Sequence, residues 1–126
     1  EADTKHVLGN LARQLPQKGG IHSFTSRMAL AEFCLAAGVD LGFNGIATFK
    51  NAENVREVIR QTPLERILLE TDAPYLTPVP HRGVPNAPVY LPFIAQTIAD
   101  LKEVCVDELL AITHKNSLDC LFANAL

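Results

Sequence analysis

None of the three cysteines, Cys34, Cys105 and Cys120, stands in a C-x-x-C pair, and the odd count is widely spaced. That spacing argues against a disulfide framework, a structural zinc site or a redox pair. It predicts a reduced, cytoplasmic protein whose thiols fill apolar gaps. Also missing are an apolar run long enough to span a membrane and a charged-then-apolar leader at the first residues, so no membrane role is expected. Positive charge is not in excess: 11 Lys and Arg stand against 14 Asp and Glu, a formal net charge of −3. Bulk electrostatics therefore draw the chain neither to nucleic acid nor to an anionic surface. Any phosphate affinity has to be local, from a bound cation or a few placed basic groups. Internal repeats and low-complexity stretches are absent as well.

What remains is a chain of 126 residues with 48% hydrophobic content, enough for one domain with a core of its own. Its first residues, Glu1-Ala2-Asp3, run straight into a helical pattern with Val7, Leu8 and Leu11, as if the chain starts inside a domain. Pro16 and Gly19-Gly20 interrupt that pattern, and Ile21 to Phe24 reads as a short strand. Ser26 is placed to cap a helix with Leu30, Phe33, Cys34 and Ala37 on one face, stopping at Gly38. A second strand is expected over Leu41 to Phe49, then a helix capped by Asn51, carrying Val55, Val58 and Ile59 and ending at Thr62-Pro63. Arg66-Ile-Leu-Leu reads as a third strand. Residues 73–88 form a loop holding five of the eight prolines, so it is stiff without being regular. A helix from Pro88 to Glu103 and a last one capped by Asp107, with Leu109, Ile112, Thr113, Asn116 and Cys120 along a face, complete the chain.

Strands alternating with helices predict an α/β fold with a parallel sheet. Three strands are few for that architecture, since helices on one face leave the other needing cover. The strand faces around Ile21, Phe43 and Leu69 are therefore expected to be buried only where something else packs on them.

Working residues in parallel α/β sheets gather at the carboxyl ends of strands. His22 lies there in Gly-Ile-His-Ser-Phe, and Glu70 and Asp72 in Ile-Leu-Leu-Glu-Thr-Asp; if the extended backbone persists, the two acids share a face. An imidazole and a carboxylate from separate strands suit a divalent cation. The plainer alternatives are a hydrogen-bonded core histidine, a salt bridge for Glu70, and an Asx turn or cap for Asp72. His81 and Arg82 read by default as solvated loop residues, His6 and His114 lie in helices without ligand-spaced partners, and Asn116 fits a buried side chain bonded to backbone.

Six segments in order, "GIHSFTS", "GIATFKNA", "LLETDAPYL", "PVPHRG", Asn86-x-Pro88 and "ITHKNSLDCLF", resemble the C-terminal half of the TatD family of metal-dependent hydrolases. The resemblance runs along nearly the whole chain and implies a partial (β/α)8 TIM barrel, its last three strands and their helices, with residues 1–126 as the C-terminal portion of a deoxyribonuclease-like enzyme. It further implies one or two divalent ions (Mg, Mn or Zn) at the barrel mouth. The sixth-strand histidine of the family falls on His22 and the eighth-strand aspartate on Asp72. The remaining ligands of the family pattern would lie upstream of Glu1, so the fragment alone is expected to be a poor enzyme.

Under that resemblance Asp72 ligates one ion and orients or deprotonates the attacking water, His22 holds the other ion or the scissile phosphate, and Glu70 accepts a hydrogen bond that fixes a ligand or water. His81 and Arg82 are then candidate phosphate contacts on the stiff loop. In "RGVPNAP" the chain departs from the family, with Val84, Pro85 and Ala87 where basic and acidic residues often stand. The implied partners are DNA or another phosphodiester, together with the missing N-terminal half-barrel, another copy or a partner chain over the open sheet. Two other readings stay open: a non-catalytic half-barrel acting as an interaction module, and a related metal hydrolase on a non-nucleic substrate.

Overall fold

The computed structural model describes residues 2–14 and 19–122, without the side chains of residues 8 and 11–14, so Pro16 and the side chains of Leu8 and Leu11 lie outside the described part. Helix α1 spans Ala2–Gln14, and Val7 on it is exposed. Strand β1 is Gly19–Ile21, α2 Met28–Ala36, β2 Val39–Phe43, α3 Glu53–Gln61, β3 Ile67–Leu69, α4 Leu91–Leu101 and α5 Val106–Phe122. The three strands form one parallel sheet in the order β1-β2-β3, with Ile21 opposite Leu41 and Phe43 opposite Leu69.

β2 is central and buried at every residue. Alternation sends Val39, Leu41 and Phe43 to one face, where they join Ile59, Ile67, Ile94, Ile98 and Leu109 in the core. Asp40 and Gly42 take the other face. Phe43 was expected to need an outside partner. It is instead 1% exposed and packed edge-on against Phe24, ring centroids 6.2 Å apart. Ile21 and Leu69 are only partly buried against the same core.

Element boundaries differ from the sequence expectation for local reasons. The helical pattern does stop before Gly19-Gly20, but the pair itself belongs to β1, which ends at Ile21 rather than running to Phe24; at Gly20 a Cβ would meet the Leu68 side chain. Helix α2 starts after Arg27 rather than Ser26, and α3 after Ala52 rather than Asn51, neither with a side-chain cap bond. Gly38 does stop α2, adopting φ +81 while its N–H reaches Leu35 O. β2 ends at Phe43 because Asn44 accepts the Ile46 N–H and turns residues 45–48 into a 3-10 helix. Arg66 is likewise in a 3-10 turn, Leu64–Arg66, not in β3. At α5 the cap is Cys105, whose Sγ accepts the Glu108 N–H at 3.4 Å. Asp107 sits inside the first turn. Cys34 is buried as expected, whereas Cys105 is exposed.

Polar side chains of the interior hold elements together. Asp40, fully buried, pairs with Arg66 Nε at 2.6 Å, and Arg66 also bonds the carbonyls of Leu35 and Val39. Asn116 donates to the carbonyls of Leu64 and Ile67, which fixes α5 to the entry of β3. Among the described residues no helix is long and apolar enough to cross a membrane.

Candidate functional site

β1 and β3 deliver the site from either side of β2. Immediately after Ile21 the chain turns through His22 and Ser23, with Ser23 in the left-handed region at φ 51. Immediately after Leu69, Glu70 N–H bonds Phe43 O and so extends the pairing one residue past β3. The Glu70 side chain then lies back over β2, where it is possible only because residue 42 is glycine: a Cβ there would overlap the carboxylate. In that position Glu70 Oε2 accepts the Ser23 N–H at 2.8 Å and faces His22 Nδ1 at 2.8 Å.

The other edge of the imidazole faces Asp72: His22 Nε2 lies 3.5 Å from Asp72 Oδ1. The two acids were expected to share a face through continued extension. They converge instead through a backbone reversal at Asp72, whose φ is 57, a conformation that short polar residues tolerate. Left-handed residues beside both ends of the constellation concentrate backbone strain at the place where the side chains meet. His22 stands 65% exposed at the side chain and Asp72 34%, so the group opens to solvent rather than into the core.

This geometry sorts the roles. Nδ1 of His22 faces Glu70, which favours a proton on that nitrogen and leaves Nε2 toward Asp72, as a donor when the ring is charged and with a lone pair free for a cation when it is neutral. The hydrogen bond to Glu70, then its charge, raise the His22 pKa above the ordinary value, and Asp72 adds to the rise. As a donor set, one imidazole nitrogen and one carboxylate fit a divalent ion chemically, but they are two ligands. Among the described residues no group of three or more His, Cys, Asp or Glu side chains is disposed to hold a metal. The pair fits part of a metal centre, with Glu70 orienting the histidine from behind.

The loop from 70 to 87 is held in one shape by side chains that carry little weight in the sequence. Buried Asn86 donates to Thr71 O at 2.6 Å and Tyr75 O at 2.8 Å, and its N–H meets Pro74 O. The Val79 N–H bonds Thr48 Oγ1, and Gly45 admits the Leu76 carbonyl where a Cβ would collide. Asn44 donates to Ser23 Oγ at 2.8 Å, supporting the turn that carries His22. Asn86, through its Asn-x-Pro motif, and Gly45 and Thr48, within GIATFKNA, lie in segments singled out in the sequence, whereas Asn44 lies in none.

Arg82 and His81 are less free than a solvated loop implies. The Arg82 guanidinium donates to Thr77 O and lies 4.2 Å from the Phe49 ring centre. His81 stacks on Tyr90 at 4.7 Å and meets Phe93 edge-on at 4.6 Å. His6 and His114 are exposed on their helices and apart from the site.

Acid and imidazole thus converge past the carboxyl edge of a parallel α/β layer, where such sheets bind their ligands. The TatD related DNase family model matches residues 1–121, and the chain belongs to that family. It is 46% identical over 116 residues to the uncharacterized metal-dependent hydrolase YcfH of Escherichia coli K12, covering 91% of this chain and 43% of that protein. It is 44% identical over 100 residues to YabD of Bacillus subtilis, with the same description, covering 79% and 39%. A relative from Erwinia amylovora, described as a 3'-5' ssDNA/RNA exonuclease TatD, is 41% identical over 102 residues, covering 77% and 39%. The crystal structure of YJJV, a TatD homolog from Escherichia coli K12, superposes with a TM-score of 0.84 at 28% identity, covering 92% of this chain and 44% of that one. The chain thus spans well under half the length of the relatives it matches.

Proposed function

We propose that the chain is the C-terminal portion of a metal-dependent phosphodiesterase of the (β/α)8 barrel type, acting on DNA or another nucleic-acid phosphodiester. The observation that carries this reading is the His22 ring held between Glu70 and Asp72, with Nε2 presented at the solvent edge. His22 Nε2 and Asp72 would be two ligands of one or two divalent ions. The rest would come from the part of the relatives' length that lies outside the stretch matched by this chain. When bound, such an ion supplies Lewis acidity and charge neutralisation at the phosphoryl group. Asp72 would also orient the attacking water or accept its proton. Glu70 keeps the imidazole in one tautomer and one orientation. Arg82, stacked on Phe49 and tethered to Thr77, turns its remaining N–H donors to phosphate oxygens, and His81 stands beside it. The descriptions of the relatives support metal dependence and, in one case, single-stranded nucleic acid as substrate.

An interaction role for this portion is supported by α5, where Leu110, Leu118, Leu121 and Phe122 are exposed. An apolar stripe of that kind suits burial against the remaining half-barrel, another copy or a partner chain. Three cysteines outside any disulfide, one of them exposed, fit a reducing cytoplasmic setting.

The test is hydrolysis of a labelled oligonucleotide by the chain joined to the remainder of the barrel, with Mg2+, Mn2+ or Zn2+ and with EDTA. Asp72→Asn is expected to lose more than the roughly 10–100-fold that removing an outer hydrogen-bond partner costs. Hydrolysis that persists in EDTA, or is untouched by Asp72→Asn, overturns the reading.

A further inference from the structure

Tyr75 is 70% exposed, although the backbone beneath it is one of the most firmly held in the loop. Its N–H bonds Asp72 O at 2.9 Å, and its carbonyl accepts from buried Asn86. The flanking Pro74 restricts φ on one side, and Leu76 on the other sits at φ 59 with its carbonyl seated against Gly45. The chain therefore fixes the Cα of a large ring one turn from Asp72 and leaves the ring in water. The other aromatic side chains of this region are engaged: Tyr90 and Phe93 with His81, Phe49 with Arg82. A hydrophobic ring held at a rigid position, with no partner for its face among the described residues, has the form of a stacking surface.

We propose that Tyr75 stacks on an unpaired base of a single-stranded nucleic acid whose backbone passes the His22–Asp72 edge. The proposal rests on the phosphodiesterase reading for the identity of the ligand. Duplex bases already stack on their neighbours, so a tyrosine beside the reacting phosphate reaches only a base at a strand end or in a single strand. Stacking also suits an acidic chain. It contributes affinity that does not depend on net positive charge.

The test uses the chain itself in EDTA, where nothing is hydrolysed, with a thymidine octanucleotide as probe. The sequence has two tyrosines, so Tyr75→Phe identifies the Tyr75 ring protons in the spectrum by their disappearance. Upfield shifts of those protons on adding the oligonucleotide, and none with an abasic octamer, are expected. By fluorescence anisotropy Tyr75→Ala should weaken binding about 5- to 100-fold and Tyr75→Phe by less than about twofold. Because the side chain is exposed, the alanine variant removes little packing, and the ring-proton shift needs no variant that risks misfolding. Unshifted Tyr75 protons at millimolar oligonucleotide, or equal binding by wild type and Tyr75→Ala, overturn the proposal. Metal-dependent hydrolysis surviving in the joined barrel alongside that result would leave the phosphodiesterase reading intact. Tyr75-dependent binding without any hydrolysis would instead remove that reading and keep the stacking site.

Discussion

Gly42→Ala is the substitution that most directly interrogates the site, because it touches neither His22 nor Asp72. The backbone of Gly42 does not lie at positive φ, so alanine carries no intrinsic conformational penalty there. What it adds is a methyl inside the Glu70 carboxylate, with the Ile21 carbonyl 3.0 Å away on the other side and unable to yield. Glu70 must therefore withdraw, and two contacts go with it: the bond from Ser23 N–H and the pairing with His22 Nδ1, each 2.8 Å. A hydrogen bond to a charged acceptor is worth about 1.5–3 kcal/mol, and water replaces part of it because the Glu70 side chain is 20% exposed. We expect a loss of about 1–2 kcal/mol in urea unfolding, a drop of roughly 4–8 °C in Tm for a domain of this size. His22, freed from Glu70, should titrate closer to its ordinary pKa when followed by its ring protons. Gly19→Ala is the control, since nothing lies within 4 Å of a Cβ there. The decisive comparison is a double-mutant cycle. If the methyl acts through the carboxylate, Gly42→Ala costs less in a Glu70→Ala background, where only the tight contact with the Ile21 carbonyl remains. Equal losses in both backgrounds would refute the placement of Glu70 over β2.

Three further outcomes rest on charges held by geometry. The folded-state pKa of His22 is raised, chiefly by the hydrogen bond to Glu70. The stability contributed by that pair is thus fully present below the unfolded-state pKa of histidine and fades as pH rises through the folded value. The same proton competes with a metal for the site. Co2+ titrations across a pH series should show affinity falling with acidification from a higher pH than an ordinary imidazole gives, and Glu70→Gln should move the onset down. Arg66→Met leaves Asp40 as a buried charge without its partner and should cost about 3–5 kcal/mol in urea unfolding. A loss below about 1 kcal/mol would mean that water reaches Asp40.

The α/β order and the edge residues were legible because both rest on patterns local to a few residues: helical spacing, apolar strand runs, and acids and histidine at strand ends. The half-barrel face was misjudged at Phe43 because burial depends on Phe24, nineteen residues earlier and beyond any periodicity. Caps failed for a related reason. Ser26 and Asn51 are good capping residues, yet α2 and α3 begin where packing of Leu30 and Val55 on the core places their first turns. The convergence of Glu70 and Asp72 was anticipated on the wrong mechanism, since strand alternation stops at Thr71 and a left-handed Asp72 completes the approach. Gly42 and Asn44 gave no sequence signal. Their importance lies in what a neighbouring strand brings to them.

A carboxylate reaching across the central strand also explains why the histidine is on β1 and the acids on β3 rather than on adjacent strands. Parallel neighbours stand about 4.8 Å apart, so β1 and β3 ends are separated by nearly 10 Å, more than a histidine and an aspartate can close over a normal side chain. Removing the side chain at position 42 and bending the chain at Ser23 and Asp72 closes that gap to 3.5 Å without direct β1–β3 pairing. With the Glu70 carboxylate filling the space over Gly42, the His22–Asp72 edge is bounded by two strand ends whose turns are fixed by Asn44 and Asn86. Under the proposed function, an ion held at that edge would meet side chains whose positions are set before it arrives, which is the condition under which electrostatic stabilisation costs least reorganisation.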